Sequence, residues 1–267
     1  METSSTISAV TGSLPRTSID FHYLGIVDFD HAVALQKRLV YECGGEAGGR
    51  FACLLCEHPP IVSVGRAGSR GHVHFSPEQL RRQRLELRWI GRGGTCVLHS
   101  PGQLAIYPIF PLQRHGLTVG VYLERLQAAL LDTVNGLGVP GYTRPGRFGI
   151  WGQSGMLAAF GVAVHNWITS HGAFLNVNCP LVDQRLVDTN PCEMATPGDL
   201  PTMSSLLEET DGEPTMGMEE VSRRVASRLA HRFNAREARW NLSHPLFPEI
   251  VKQASERHRQ EQHRQAS

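Results

Sequence analysis

Two stretches of this chain hold residue types whose spacing could do chemistry. The first is Gly91-Arg92-Gly93-Gly94-Thr95-Cys96-Val97-Leu98-His99-Ser100-Pro101-Gly102-Gln103. Its glycines let backbone approach a ligand and turn N–H groups inward, as a carbonyl or phosphate oxygen requires. Arg92, His99 and Gln103 add polar side chains. The glycine pattern alone fits equally a tight strand connection that needs only positive φ. The second is Asn190-Pro191-Cys192, a thiol placed just after a turn-forming pair. A fixed turn can aim such a thiol, and thiolates attack thioesters and esters. Taken by itself, Cys192 reads as well as a small core residue. His171-Gly172, leading a strand toward Asn176 and Asn178, is a third candidate, with a strand-end histidine satisfied by backbone as its alternative.

Two further patterns fail on inspection. Cys53-Leu54-Leu55-Cys56 with His58 is half of a zinc site, but it has no second CxxC, and positions 53 and 56 of a strand face opposite ways. Gly65, Gly68 and Gly71 lack the Gly-Lys-Ser/Thr ending of a phosphate loop. No metal and no cofactor is expected. Lysine chemistry has two candidates, Lys37 and Lys252, because the other basic residues are arginines.

These residues must be positioned by elements that the hydrophobic pattern outlines. Asp28-Phe29-Asp30 starts a helix that runs through Ala32, Val33, Leu35, Leu39 and Val40, which puts Lys37 on a solvated helix face. Phe51 to Cys56, Ile61 to Val64, Leu85 to Ile90 and Leu104 to Phe110 read as strands, the last two flanking the glycine-rich loop. Val119, Tyr122, Leu123, Leu126, Leu130, Val134 and Leu137 mark an amphipathic helix. Ile150-Trp151, Leu157 to Val164 and Ala173 to Val177 are closely spaced antiparallel strands, and a last helix, Met218 to Phe233, closes the core. The fold class is α+β: one domain, with a mixed sheet and helices packed on one face. Residues 1–20 read as an N-terminal tail, 21–240 as the domain, and 241–267 as a polar, mobile extension.

Bulk numbers bound the partners. The 267 residues are 41% hydrophobic and 19% charged, with a formal net charge of +1. A chain this balanced has no field to hold nucleic acid or an anionic membrane. Six cysteines without scaffold spacing read as reduced thiols, and the N-terminal segment has no secretory pattern, so a cytoplasmic protein is expected.

Taken together, the motifs resemble one family. Glu57-His58-Pro59-Pro60, Gly65-Arg66, the loop from Arg92-Gly93-Gly94 through His99 to Pro101-Gly102-Gln103, Gly149, Ala159 to Gly161, His171-Gly172 with Leu175-Asn176-Val177-Asn178, and Asn190-Pro191-Cys192 occur in the order found in the lipoyl(octanoyl) transferases. The resemblance implies a biotin/lipoate protein ligase-like fold, with no metal, acting as a monomer. It implies transfer of octanoyl from octanoyl-acyl carrier protein onto a cysteine, then to a lysine on lipoyl domains of 2-oxoacid dehydrogenases or on the glycine-cleavage H protein. Position by position, Cys192 matches the acyl-thioester nucleophile. Arg66 and the run Arg92, Gly93, Gly94, Thr95, Cys96, Val97, Leu98 and His99 match the acyl and carrier-arm pocket. Ala159, Phe160 and Gly161, with Gly172, Ala173 and Phe174, match the remaining wall.

One departure changes the chemistry. The family pairs its cysteine with a lysine where this chain has Met156. An unperturbed thiol of pKa ~8.5 is still ~10% thiolate at pH 7.5, whereas a missing base in the amine step typically costs ~10² to 10⁴. Either His99 or His171 is expected to move the proton instead. Leu98, Ser100, Phe174 and Glu193 also differ from the family, with Phe174 expected to shorten the acyl slot. The alternatives are a non-catalytic relative that binds acyl chains or carrier protein, and a cysteine thioesterase in which water replaces the amine.

Overall fold

The computed structural model describes residues 17–44, 50–189, 203–212 and 216–265. A strand, β1 (Thr17–Ile26), leads into helix α1 (Phe29–Gly44), whose first turn is closed by the His31 N–H donating to the Asp28 carboxylate at 3.1 Å. β2 (Arg50–Glu57) and β3 (Ile61–Val64) follow, then the short α2 (Pro77–Arg82), β4 (Glu86–Trp89), β5 (Cys96–His99) and β6 (Gln103–Ile109). α3 (Val119–Gly136) starts where Thr118 accepts the Val121 N–H. Three strands come next, β7 (Tyr142–Arg144), β8 (Arg147–Trp151) and β9 (Met156–His165), which turns back into β10 (Ile168–Asn176). The short α4 (Leu181–Gln184) and α5 (Leu206–Glu209), then α6 (Met218–Arg232), β11 (Ala235–Asn241) and α7 (Phe247–Gln265) complete the order.

Eight strands form one sheet in the order β11-β1-β2-β6-β10-β9-β8-β7. β1 pairs in parallel with β11 and β2, and the pairs from β2 onward are antiparallel, so the sheet is mixed. Its central strands are apolar on both faces. In β2, Phe51, Cys53 and Leu55 join the cluster under α3 and α6, while Ala52, Leu54 and Cys56 join the cluster under α1. Both faces must therefore be covered, and helices lie on both rather than on the single face expected from the sequence. Cys53 and Cys56 fall into these two opposite clusters, as strand alternation requires.

Other differences have local causes. β3 leaves the sheet of β2 and forms a second one, β4-β3-β5, over a small core of Val62, Val64, Phe75, Leu85 and Leu98. Part of the glycine-rich loop is thereby a strand: Cys96–His99 pairs antiparallel with β3. The tail expected over 1–20 overlaps β1, which begins at Thr17 and buries Ile19 and Phe21. The extension from 241 includes α7, whose first turns dock on α1 through Leu246, Phe247 and Ile250. Among the described residues, no helix is long and apolar enough to cross a membrane.

Candidate active site

The glycine-rich loop connects β4 to β5 and is sewn down on two sides. The N–H groups of Gly65, Arg66 and Ala67 donate to the carbonyls of Thr95, Arg92 and Gly94 at 2.8, 3.0 and 3.2 Å. On the other side Gly93 donates to the Val162 carbonyl at 2.9 Å, so the loop lies along the edge of β9 beyond its pairing with β8. Glycine is required at 161, where an added Cβ would stand 2.8 Å from Arg92 Cδ. The loop, β9 and α3 enclose a groove of about 350 Å³ lined by Arg66, Gly93, Gly94, Phe160 and Gly161, with apolar Val119, Leu123 and Phe148 opposite.

Arg92 turns away from this groove and is 1% exposed. It donates to the Gly93 carbonyl (2.8 Å), the Ser63 carbonyl (2.8 Å) and Ser63 Oγ (2.9 Å), while its Nε has no partner. The Phe174 ring lies 5.7 Å from its guanidinium carbon. No carboxylate compensates it among the described ion pairs, and burial lowers its pKa to about 10, which leaves it charged at neutral pH.

His99 is fully buried on β5, with its Nε2 2.7 Å from Ser63 Oγ and its Nδ1 2.9 Å from Gln103 Oε1. Burial, reinforced by His58 and Arg92, pushes its pKa well below the ordinary value. His171 differs. Its backbone has φ of +54°, strained for a residue with a Cβ; Gln36 Oε1 accepts its N–H at 2.7 Å, and its buried Nδ1 has no partner. Burial first, then the Arg92 and Lys37 charges, lowers its pKa to about 4. It lines a half-open cavity of about 870 Å³ between α1 and the β9–β10 hairpin, together with Gly91, Gln36, Lys37 and His165. Lys37 is exposed, as its helix face predicted, but that face looks into this cavity.

The remaining wall residues divide. Ala159 and Phe174 are buried neighbours across the β9–β10 pair, and the Phe174 ring packs 4.8 Å from that of His99. Thr95 runs down into β5, and Cys96, Val97 and Leu98 are buried there. Ala173 points into the opposite core under α3. Gly172 pairs with Gly161. Met156 starts β9, fully buried among Trp151, Ala159, Leu181 and Met203.

Asn190, Pro191, Cys192 and Glu193 lie outside the described residues. The described chain on either side reaches this region at two places. Thr95 donates its hydroxyl to the Asp188 carbonyl at 2.8 Å, and Ser204 donates its N–H to the Met156 carbonyl at 3.0 Å. Sequence reasoning missed Ser63, Gln36 and Glu209. Gln36 left a trace, a polar residue on the buried stripe of Ala32, Leu35 and Leu39.

Residues 28–230 match the family model of the lipoyl protein ligase A/B catalytic domain. The octanoyltransferase of Geotalea uraniireducens is 37% identical over 206 residues, 77% of this chain and 89% of that protein. The octanoyltransferase of Citrifermentans bemidjiense is 39% identical over 174 residues, 65% and 80% of the two chains. In fold, the chain resembles the bi-partite lipoate protein ligase of Thermoplasma acidophilum, with TM-score 0.67, 10% identity and coverage of 89% of this chain and 92% of that one. It also resembles a lipoate-protein ligase A bound with ATP, with TM-score 0.66, 10% identity and coverage of 89% and 93%.

Proposed function

This chain belongs to the lipoyl protein ligase A/B catalytic-domain family, and from that premise we propose how it works as an octanoyltransferase of protein lipoylation. The Cys192 thiolate attacks the carbonyl of octanoyl-acyl carrier protein. The new bond is Cys192 S–C(acyl), the carrier's C–S bond breaks, and the carrier leaves as a thiol. A lysine amine of a lipoyl domain then attacks the octanoyl-cysteine; the amide forms, Cys192 departs as thiolate, and the amine's proton passes to a base. The exchange runs in the cytoplasm between a monomer and two transient carriers, the second being a lipoyl domain of a 2-oxoacid dehydrogenase or the glycine-cleavage H protein.

One observation supports this reading: the described segment before Cys192 is tied to the loop, Asp188 to Thr95, and the segment after it to the start of β9, Ser204 to Met156. Thr189 is buried and adjoins the residue that Thr95 holds. Cys192 is the third residue after it, and such a stretch spans at most ~11 Å. Arg66, Gly93, Gly94, Phe160 and Gly161 already share the groove, and its apolar side suits an alkyl chain at ~0.8 kcal/mol per buried methylene.

Neither histidine lines the groove: both His99 nitrogens are engaged, and His171, though held neutral, has its unpartnered nitrogen buried beside the cavity on the α1 side of the sheet. Alanine at each position tests which of them takes the proton.

The test is intact mass after incubation with octanoyl-carrier protein, read before and after a lipoyl domain is added. An octanoyl gain on Cys192 that moves to the domain supports the transferase. A gain released as octanoic acid makes the protein a thioesterase, and no gain makes it a binder.

A further inference from the structure

We propose that a hydrogen-bond chain running in one direction from Arg92 to the Ser204 carbonyl holds His99 in its Nδ1–H form, and that Ser63 is the positioning residue tying this histidine to the loop guanidinium. The structural part stands on geometry alone, and only its catalytic readout rests on the function proposed above.

The direction follows from two backbone carbonyls, which can only accept. Asn176 places Nδ2 3.0 Å from the Ser204 carbonyl, so Nδ2 donates there and Oδ1 faces Gln103. Gln103 Nε2 lies 2.9 Å from that Oδ1 and 3.1 Å from the Leu98 carbonyl. Both are acceptors, so Gln103 turns its amide nitrogen to them and its Oε1 to His99. His99 Nδ1, 2.9 Å from that oxygen, must then carry the proton. In the neutral ring Nε2 is an acceptor, and the group at 2.7 Å is the Ser63 hydroxyl. Ser63 has one proton to give and takes its own donation from Arg92 Nη2 at 2.9 Å. Beside that end the Ser204 hydroxyl, a separate group from its carbonyl, donates to Glu209 Oε1 at 2.7 Å, and the Glu209 carboxylate also accepts the N–H groups of Gln153 and Ser154 at 2.7 and 2.8 Å.

A fixed cation thus stands at one end and the Ser204 carbonyl at the other, and every donor between them points toward that carbonyl. Each bond polarises the next in the same sense. The chain also ties together two pieces of the site, the loop through Arg92 and the start of β9 through Ser204, and the separate Ser204 hydroxyl adds the β8–β9 turn through Glu209. Without the Ser63 hydroxyl, His99 Nε2 loses its only donor in the chain, and Arg92 Nη2 keeps only the Ser63 carbonyl. The ring is then free to change tautomer, and the guanidinium under Gly161 is less firmly held.

The ¹⁵N shifts of the His99 ring in the unmutated protein test the tautomer without any variant. The Nδ1–H form alone is expected from pH 5 to 8; an Nε2–H form or an imidazolium at pH 7 overturns the proposal. Ser63→Ala is expected to mix the tautomers and to lower kcat/KM for acyl-enzyme formation about tenfold, the worth of one to two buried hydrogen bonds. Ser63→Thr, which keeps the hydroxyl, is expected to restore the single tautomer and bring the rate within about threefold of the original. An alanine variant that folds and keeps both tautomer and rate overturns the positioning role. If the unmutated protein takes no octanoyl from any thioester while His99 is pure Nδ1–H, the proposed function fails and the chain of bonds stands.

Discussion

The residue that most tests the proposed chemistry is Met156. Its side chain is fully buried among Trp151, Ala159, Cys179, Leu181 and Met203. Lysine is unbranched like methionine and can follow the same path, but its ammonium would be stripped of water there. Burial lowers an amine's pKa, so a lysine at this position would spend much of its time as a neutral base. Met156→Lys is therefore expected to speed transfer from octanoyl-enzyme to a lipoyl domain by at least ~10-fold, while lowering stability by ~1 to 3 kcal/mol. Single-turnover transfer and urea denaturation measure the two effects; an unchanged transfer rate means that the missing base does not act from this position. His171→Ala tests the other candidate: a transfer step slowed ~10²-fold with acyl-enzyme formation nearly unchanged would assign it the proton, and an unchanged rate would exclude it. Because its pKa is lowered to about 4, the His171 base form is complete at neutral pH and is lost only as pH falls toward that value. The His171-dependent rate should therefore be flat from pH 6 to 8.

At the scale of elements, α1 links the core to the site. Leu35 and Leu39 pack on the sheet, and between them Gln36 accepts the His171 N–H that helps hold its strained backbone. α7 clamps α1 from outside through Leu246, Phe247 and Ile250. Ile250→Asp puts a charge into this contact and is expected to cost ~2 to 3 kcal/mol, read as a lower urea midpoint at constant m-value. A fall in m-value would mean instead that α7 had detached. This helix shows where the sequence was legible. The stripe through Val119, Leu126 and Val134 marked α3 because its period is local, and the apolar run of β2 marked a buried strand. The start of α7 has few apolar residues, and only their partners on α1 make them a docking face. Cys96–His99 reads as loop because glycines and a proline flank it, and its strand state comes from β3, more than thirty residues earlier. The glycines of the site were legible for the same local reason. Ser63 and Glu209 were not, and Gln103 and Asn176 were picked out without their bond to each other, because pairing of β3 with β5 and of β6 with β10 brings these residues together from distant parts of the chain.

Over the whole molecule, the number of histidines buried in neutral form has a consequence that no single site contains. His58 and His171 are lowered to about 4, chiefly by burial; His99 is lowered well below the ordinary value, also chiefly by burial, and His22 and His244 lie against each other, both lowered by burial. In the unfolded chain each titrates near 6.5. Between pH 6.5 and 4 the unfolded state therefore binds more protons than the folded one, and stability falls as pH falls through that window. Above it the histidine contribution is constant. A shift from 6.5 to about 4 is worth ~3 kcal/mol for His58 at the acid end. A second group like it brings the loss to a large part of the ~5 to 15 kcal/mol typical of a domain. Acid unfolding is thus expected between pH 5 and 4, with stability level from pH 7 to 8. His58 anchors the sharpest control, since its Nδ1 donates to the Val27 carbonyl at 2.8 Å and its Nε2 lies 2.8 Å from the Tyr107 hydroxyl. Glutamine can serve both partners without titrating, so His58→Gln should reduce proton uptake on unfolding at pH 5 by about one. Urea denaturation at pH 7.5, 6.5, 5.5 and 4.5 measures the slope, and a stability that stays level down to pH 5 would show that these imidazoles are not held neutral.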